Sequence, residues 1–160
     1  MSTFQSATSV IELLRAKKQS VAVAESLTGG GVGAALTSVP GASDVFLGGV
    51  IAYSPAVKES LLAVERETIA DFGVVSEEVA VAMADGVREL LGSTWGISTT
   101  GVAGPGDAEG VAAGTVWIAI SGPINQSTQL EVEGEREVVR NASVSSAIST
   151  FERILVSLKA

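Results

Sequence analysis

Hydrophobic positions along this chain alternate between helical and extended spacing. Val10, Ile11 and Leu14 fall on one side of a predicted helix over residues 7–18. Its last turn carries Arg15, Lys17 and Lys18, cations suited to the negative end of the helix dipole. The apolar run "SVAVA" predicts a buried strand, and small residues from about Thr28 to Ser38 predict a second helix. "DVFLGGVIAYS" predicts another buried strand, leading into a helix with Ser54 at the N-cap and Pro55 in the first turn. Residues 76–91 carry the clearest helical stripe, formed by Val79, Met83, Val87 and Leu90. Ser76 caps that helix, Glu77 and Glu78 fill its first turn, and Gly92 stops it. "TWGISTT" and "GTVWIAIS" read as strands flanking the loop "GVAGPGDAEGVAA", and "STQLEVE" as an alternating strand near a sheet edge. From Glu135 a last helix carries Val144, Ile148, Phe151, Leu155 and Leu158 at spacings of 4, 3, 4 and 3. Strand–helix order early and three strands before a helix late predict one α/β domain over residues 1–160. The expected architecture is a three-layer α/β sandwich with a mixed sheet and helices on both faces.

Composition sharpens this picture by exclusion. A chain of 160 residues suits one core, burying roughly 70% of its unfolded surface. Aromatics are only 4%, so Val, Ala, Leu and Ile must build that core. No apolar run approaches the roughly 18–20 residues of a membrane span. The start "MSTFQSATSV" lacks the charged-then-apolar pattern of an export signal. The expectation is a cytoplasmic protein with no membrane partner. A net charge of −8 argues against nucleic acid as a partner, although a few local cations would serve a small anion. Cysteine and histidine are both absent, which removes disulfides, thiolate chemistry, the usual zinc sites and any histidine base. Proton transfer would fall to Lys, Tyr, Asp, Glu or water.

Four stretches carry candidate chemistry. In "VAVAESLTGGGVG", Gly29 to Ala34 formally fit a dinucleotide fingerprint, but "ESLT" separates the glycines from the strand and no acidic residue closes the next one. Gly31 and Gly33 suit close packing of a helix on a sheet. That leaves Ser26 at a strand end, with Thr28, Gly29 and Gly30 at a helix start whose amides would hold a phosphate or an oxyanion. Lys58 is the only lysine between Lys18 and Lys159, and Tyr53 is the only tyrosine. Both flank one strand-to-helix turn, where the positive dipole end would help Lys58 act as a neutral base; the competing reading is a solvated lysine. In "EVEGEREVVRN", Arg140 and Arg136 continue the inward stripe of the last helix, either as an anion clamp or as solvated cations beyond the core. In "TTGVAGPG", Thr100, Gly101 and Gly104 either make the turn or bring backbone amides against a ligand.

"AESLTGG", "AYSPAVK", "GVVSEEVA", "TGVAGP", "GTVWIA" and "GEREVVR", in this order, resemble the CinA C-terminal-domain family from about Ser6 onward. Enzymatic members are nicotinamide-nucleotide amidohydrolases, and larger members carry an additional N-terminal domain, so the chain looks like the stand-alone deamidase form. The resemblance implies hydrolysis of the carboxamide of nicotinamide mononucleotide to nicotinic acid mononucleotide and ammonia, in pyridine-nucleotide salvage. It places the family's serine, tyrosine and lysine on Ser26, Tyr53 and Lys58. Arg140, Arg136 and the 101–104 loop would hold the ribose phosphate. No metal or organic cofactor is required, the expected partner is a small-molecule substrate, and a homodimer is implied. The chain departs from the family at Leu27, where cysteine is common, and at Ala112-Ala113, where a Pro-Val pair is common. A nucleotide-binding regulatory module without turnover is the alternative from another class; a purely structural interaction domain would have no use for the isolated lysine.

Overall fold

A computed structural model describes residues 1–158. The elements in chain order are α1 (Thr3–Lys17), β1 (Val21–Glu25), α2 (Gly31–Thr37), β2 (Phe46–Ile51), α3 (Pro55–Leu62), α4 (Arg66–Phe72), α5 (Glu77–Leu91), β3 (Trp95–Gly101), β4 (Thr115–Ser121), β5 (Gln126–Glu131) and α6 (Arg136–Ser157). A single 3-10 turn, Ala42–Asp44, precedes β2.

The sheet order is β2-β1-β3-β4-β5. β1 pairs in parallel with both β2 and β3, while β4 and β5 are added antiparallel. The sheet is therefore mixed, and its two faces are read directly from β1. Val21 and Val23 join a core with α1, α2 and α6, whereas Ala22 and Ala24 face α3 and α5. Successive side chains of a strand point to opposite faces, so this fully buried strand marks the middle of three layers. On the first face Trp95 meets Phe151 edge-on, with ring centroids 5.3 Å apart.

The elements differ from the sequence expectation in specific places. α1 starts at Thr3, because Ser2 and Gln5 form a capping box that holds the extra turn. β2, expected as buried, is an edge strand with Leu47, Gly49 and Ile51 exposed. Leu90, expected in the α5 stripe, is 51% exposed; Ala80 and Ala84 are buried instead, toward Ala119. β5 is the other edge strand, as its alternation predicts.

At the carboxyl ends of the parallel strands Glu25, Ile51 and Thr99 lie in one row. The chain leaving β1 turns to α2 on one face, and the chain leaving β2 turns to α3 on the other. Such divergence opens a crevice at the strand ends. α3 reaches its place by resting on α5 at Gly86, where a Cβ would overlap the Leu62 carbonyl oxygen. Gly86→Ala should destabilise the fold by about 1–3 kcal/mol despite its better helix propensity, because the backbone of α3 cannot yield locally. Chemical denaturation measures this; unchanged or raised stability would show that α3 is free to shift.

Candidate active site

Ser26 extends β1 by one residue and is held there from β3: its amide donates to the Thr99 carbonyl at 3.1 Å. The chain then turns through Gly29 and Gly30, whose φ values of 60° and 106° lie where L side chains are strained. Glu25 fixes this turn from inside. Only 1% exposed, its carboxylate accepts from the amides of Gly30 (3.2 Å), Val32 (2.9 Å) and Gly33 (2.9 Å). The start of α2 is thus already occupied by a carboxylate. The expectation that the Gly29 and Gly30 amides are open to an oxyanion is corrected, since Gly29 donates to the Ser26 carbonyl at 3.1 Å and Gly30 to Glu25. The Leu27 and Thr28 amides have no acceptor among the described residues. The Thr28 hydroxyl is 2.8 Å from that of Thr99, which joins the two strand ends a second time.

Lys58, on the fourth residue of α3, comes from the other wall of the crevice. It is completely buried, and its Nζ lies 3.0 Å from Ser26 Oγ while donating to the Ala52 carbonyl at 2.6 Å. No carboxylate pairs with it among the described residues. Burial disfavours the charged form and lowers its pKa from the ordinary 10.5 to about 8. Desolvation of the head group thus brings the neutral amine within reach near pH 8, well below the pH at which an ordinary lysine loses its proton.

Ser26 opens onto a cavity of about 480 Å³, within the range of small-molecule sites. Tyr53, Thr100, Gly101, Gly104 and Arg136 line it, and Lys58 stands behind the serine. Tyr53 is 59% exposed, and its hydroxyl accepts from Arg136 Nη2 at 3.0 Å; it bonds neither Ser26 nor Lys58. Arg136 Nη1 also donates to the Gly104 carbonyl at 2.6 Å, so one guanidinium spans two walls of the cavity. Arg140 does not line the cavity: its Nε donates to the Leu27 carbonyl at 3.0 Å and its Nη2 to the Thr28 carbonyl at 3.4 Å. Sequence reading missed Phe72, Val74 and Val75, which form an apolar wall. Thr100 holds that wall by donating to the Val74 carbonyl at 3.0 Å. No periodicity signals a wall contributed by the end of α4 and the connector after it. Glu25 stands out in the sequence as the carboxylate that ends an apolar strand, but its hold on the α2 amides does not.

Residues 3–155 match the sequence profile of the CinA C-terminal domain. The chain belongs to the CinA C-terminal domain family. A CinA-like protein of Prochlorococcus marinus is 45% identical over 151 residues, 92% of this chain and 35% of that protein. A putative competence-damage inducible protein of Desulforamulus reducens is 46% identical over 136 residues, 84% of this chain and 33% of that one. The chain thus spans about a third of the length of the curated relatives it matches. The crystal structure of a CinA superfamily protein from Klebsiella pneumoniae 700603 superposes with a TM-score of 0.94 at 31% identity, covering 98% of this chain and 99% of that one. A competence/damage inducible protein from Agrobacterium tumefaciens gives 0.90 at 28% identity, with each chain covered in full. The mixed five-stranded α/β fold is therefore that of the CinA superfamily. No helix among the described residues is long and apolar enough to cross a membrane.

The buried amine of this CinA domain has a stability signature. Its folded pKa of about 8 lies below the ordinary 10.5, so between those values the unfolded chain binds more protons. Stability then rises with pH across that window, and below it the full cost of a buried ammonium is present. Lys58→Met keeps the stem and removes the titration. Denaturation at pH 7 to 10.5 should show wild type gaining relative to this variant as pH rises; a pH-independent difference would contradict a depressed Lys58.

Proposed function

We propose that this domain hydrolyses the carboxamide of nicotinamide mononucleotide, releasing ammonia and nicotinic acid mononucleotide, as a step of pyridine-nucleotide salvage. The observation that carries the reading is a buried, carboxylate-free lysine amine 3.0 Å from a serine hydroxyl that faces an open cavity. Neutral Lys58 takes the Ser26 proton as Oγ attacks the amide carbon, and the Ala52 carbonyl keeps the amine aimed during the transfer. The C–N bond then breaks, ammonia leaves with the proton returned by Lys58, and an ester to Ser26 remains. Water, deprotonated by the same amine, cleaves the ester and restores the serine. The Leu27 and Thr28 amides supply donors for the oxyanion.

The rim suits the rest of such a substrate. Arg136 offers a guanidinium to the phosphate, and its bonds to Gly104 and Tyr53 hold it across the entrance. Tyr53 and Phe72 present aromatic side chains that favour a cationic pyridinium ring. Tyr53 serves here as a wall and as a partner of Arg136, since the proton path from Ser26 to Lys58 is direct. No metal or organic cofactor takes part, and a homodimer remains the expected assembly.

Purified protein mixed with nicotinamide mononucleotide should release ammonia, with kcat/KM rising through a midpoint near pH 8 as Lys58 loses its proton. Ser26→Ala should abolish release while retaining binding, and Arg136→Ala should raise KM roughly 10-fold. Binding without ammonia from wild type would select the regulatory module instead; turnover by Ser26→Ala would rule out the covalent route.

A further inference from the structure

Arg140 sits on the stripe that the sequence extends toward an anion, yet its guanidinium is spent on the protein's own backbone. Nε and Nη2 reach the carbonyls of Leu27 and Thr28, two consecutive peptide units directly after Ser26. A trans peptide is planar, with its N–H directed opposite to its C=O. Drawing the Leu27 carbonyl onto Arg140 therefore turns the Thr28 amide to the side away from Arg140. That amide has no acceptor among the described residues. The Thr28 carbonyl belongs to the next unit, whose Gly29 amide closes the turn onto the Ser26 carbonyl at 3.1 Å. Arg140 thus grips from outside the same turn that the Glu25 carboxylate grips from inside through Gly30, Val32 and Gly33.

We infer that Arg140 is a positioning residue for the Ser26 turn: by holding the Leu27 and Thr28 carbonyls it aims the Thr28 amide as an oxyanion donor, and it is not the phosphate ligand. The inference rests on Ser26 being the attacking group, as in the proposed function, but not on the identity of the substrate. A lysine in its place is a single point donor without the planar fork of separate Nε and Nη2 donors, so Arg140→Lys keeps the charge and loses the geometry.

The test reads the serine directly. A small fluorophosphonate forms a bond from Ser26 Oγ to phosphorus and expels fluoride, the serine proton passing to Lys58; mass spectrometry follows the adduct. Labelling of Arg140→Lys should be roughly 10-fold to 100-fold slower than wild type at an unchanged pH midpoint. In Arg140→Ala, added guanidinium should restore the rate while methylammonium should not, an outcome a merely structural role would not give. Labelling of both folded variants at the wild-type rate would overturn the inference. So would an Arg140→Lys enzyme in which KM for the mononucleotide rises while kcat is kept, the pattern of a lost phosphate ligand. If wild type is labelled in an Arg140-dependent way but releases no ammonia, the substrate assignment fails and the positioning role stands. If ammonia is released and labelling ignores Arg140, the reverse holds.

Discussion

A lysine enclosed by protein with no carboxylate among the described residues to pair it sets the conditions for the whole site. Carrying an ammonium into that position costs hydration that two hydrogen bonds, to Ala52 and Ser26, replace only in part. Burial shifts the balance toward the amine, which is also the form that accepts a proton from a serine. The fold is arranged to keep it so. α3 packs down on α5 at Gly86, Leu62 closes the second core, and the amine meets Ser26 behind the cavity wall, away from bulk water. In the proposed mechanism, activation of the serine and depression of the lysine pKa share one cause, the burial of the amine.

The turn after β1 answers a second constraint, that Ser26, the proposed nucleophile, must stand at a strand end without the chain relaxing around it. Backbone groups on both sides are occupied: Thr99 holds the Ser26 amide, Glu25 collects three amides of the α2 start, and Arg140 takes two carbonyls. A buried carboxylate at this helix start settles the helix dipole internally, so the glycine-rich stretch is no phosphate loop. The cation that reaches the cavity is Arg136, four residues earlier on α6 and bound to Tyr53 and Gly104.

Periodicity made most of the layers legible, because α1, α5 and α6 bury continuous stripes and β1, β3 and β4 are buried along nearly their whole length. α4 escaped notice for the same reason in reverse: it buries no residue, so no stripe marks it. β2 read as buried since its apolar residues do not alternate with polar ones, yet the strand lies at the sheet edge. Within the site, residue rarity isolated Lys58 and Tyr53, and spacing isolated Ser26. Spacing could not tell which of two arginines on one helical stripe faces the cavity, as that depends on how far α6 overhangs the β1 turn. Nor could it show that the amides of Gly29 and Gly30 are already taken, which only the fold of Glu25 back onto α2 reveals.

Family membership places this chain among CinA domains, and the chemistry rests on the state of one amine. Lysine labelled with ¹⁵N, with Lys58→Met to assign the signal, allows direct titration of the Lys58 head group by NMR. A midpoint near 8 would match an amine desolvated behind Ser26 and ready to take its proton. A midpoint at the ordinary 10.5 would mean that burial does not disfavour the ammonium and would contradict the serine–lysine assignment.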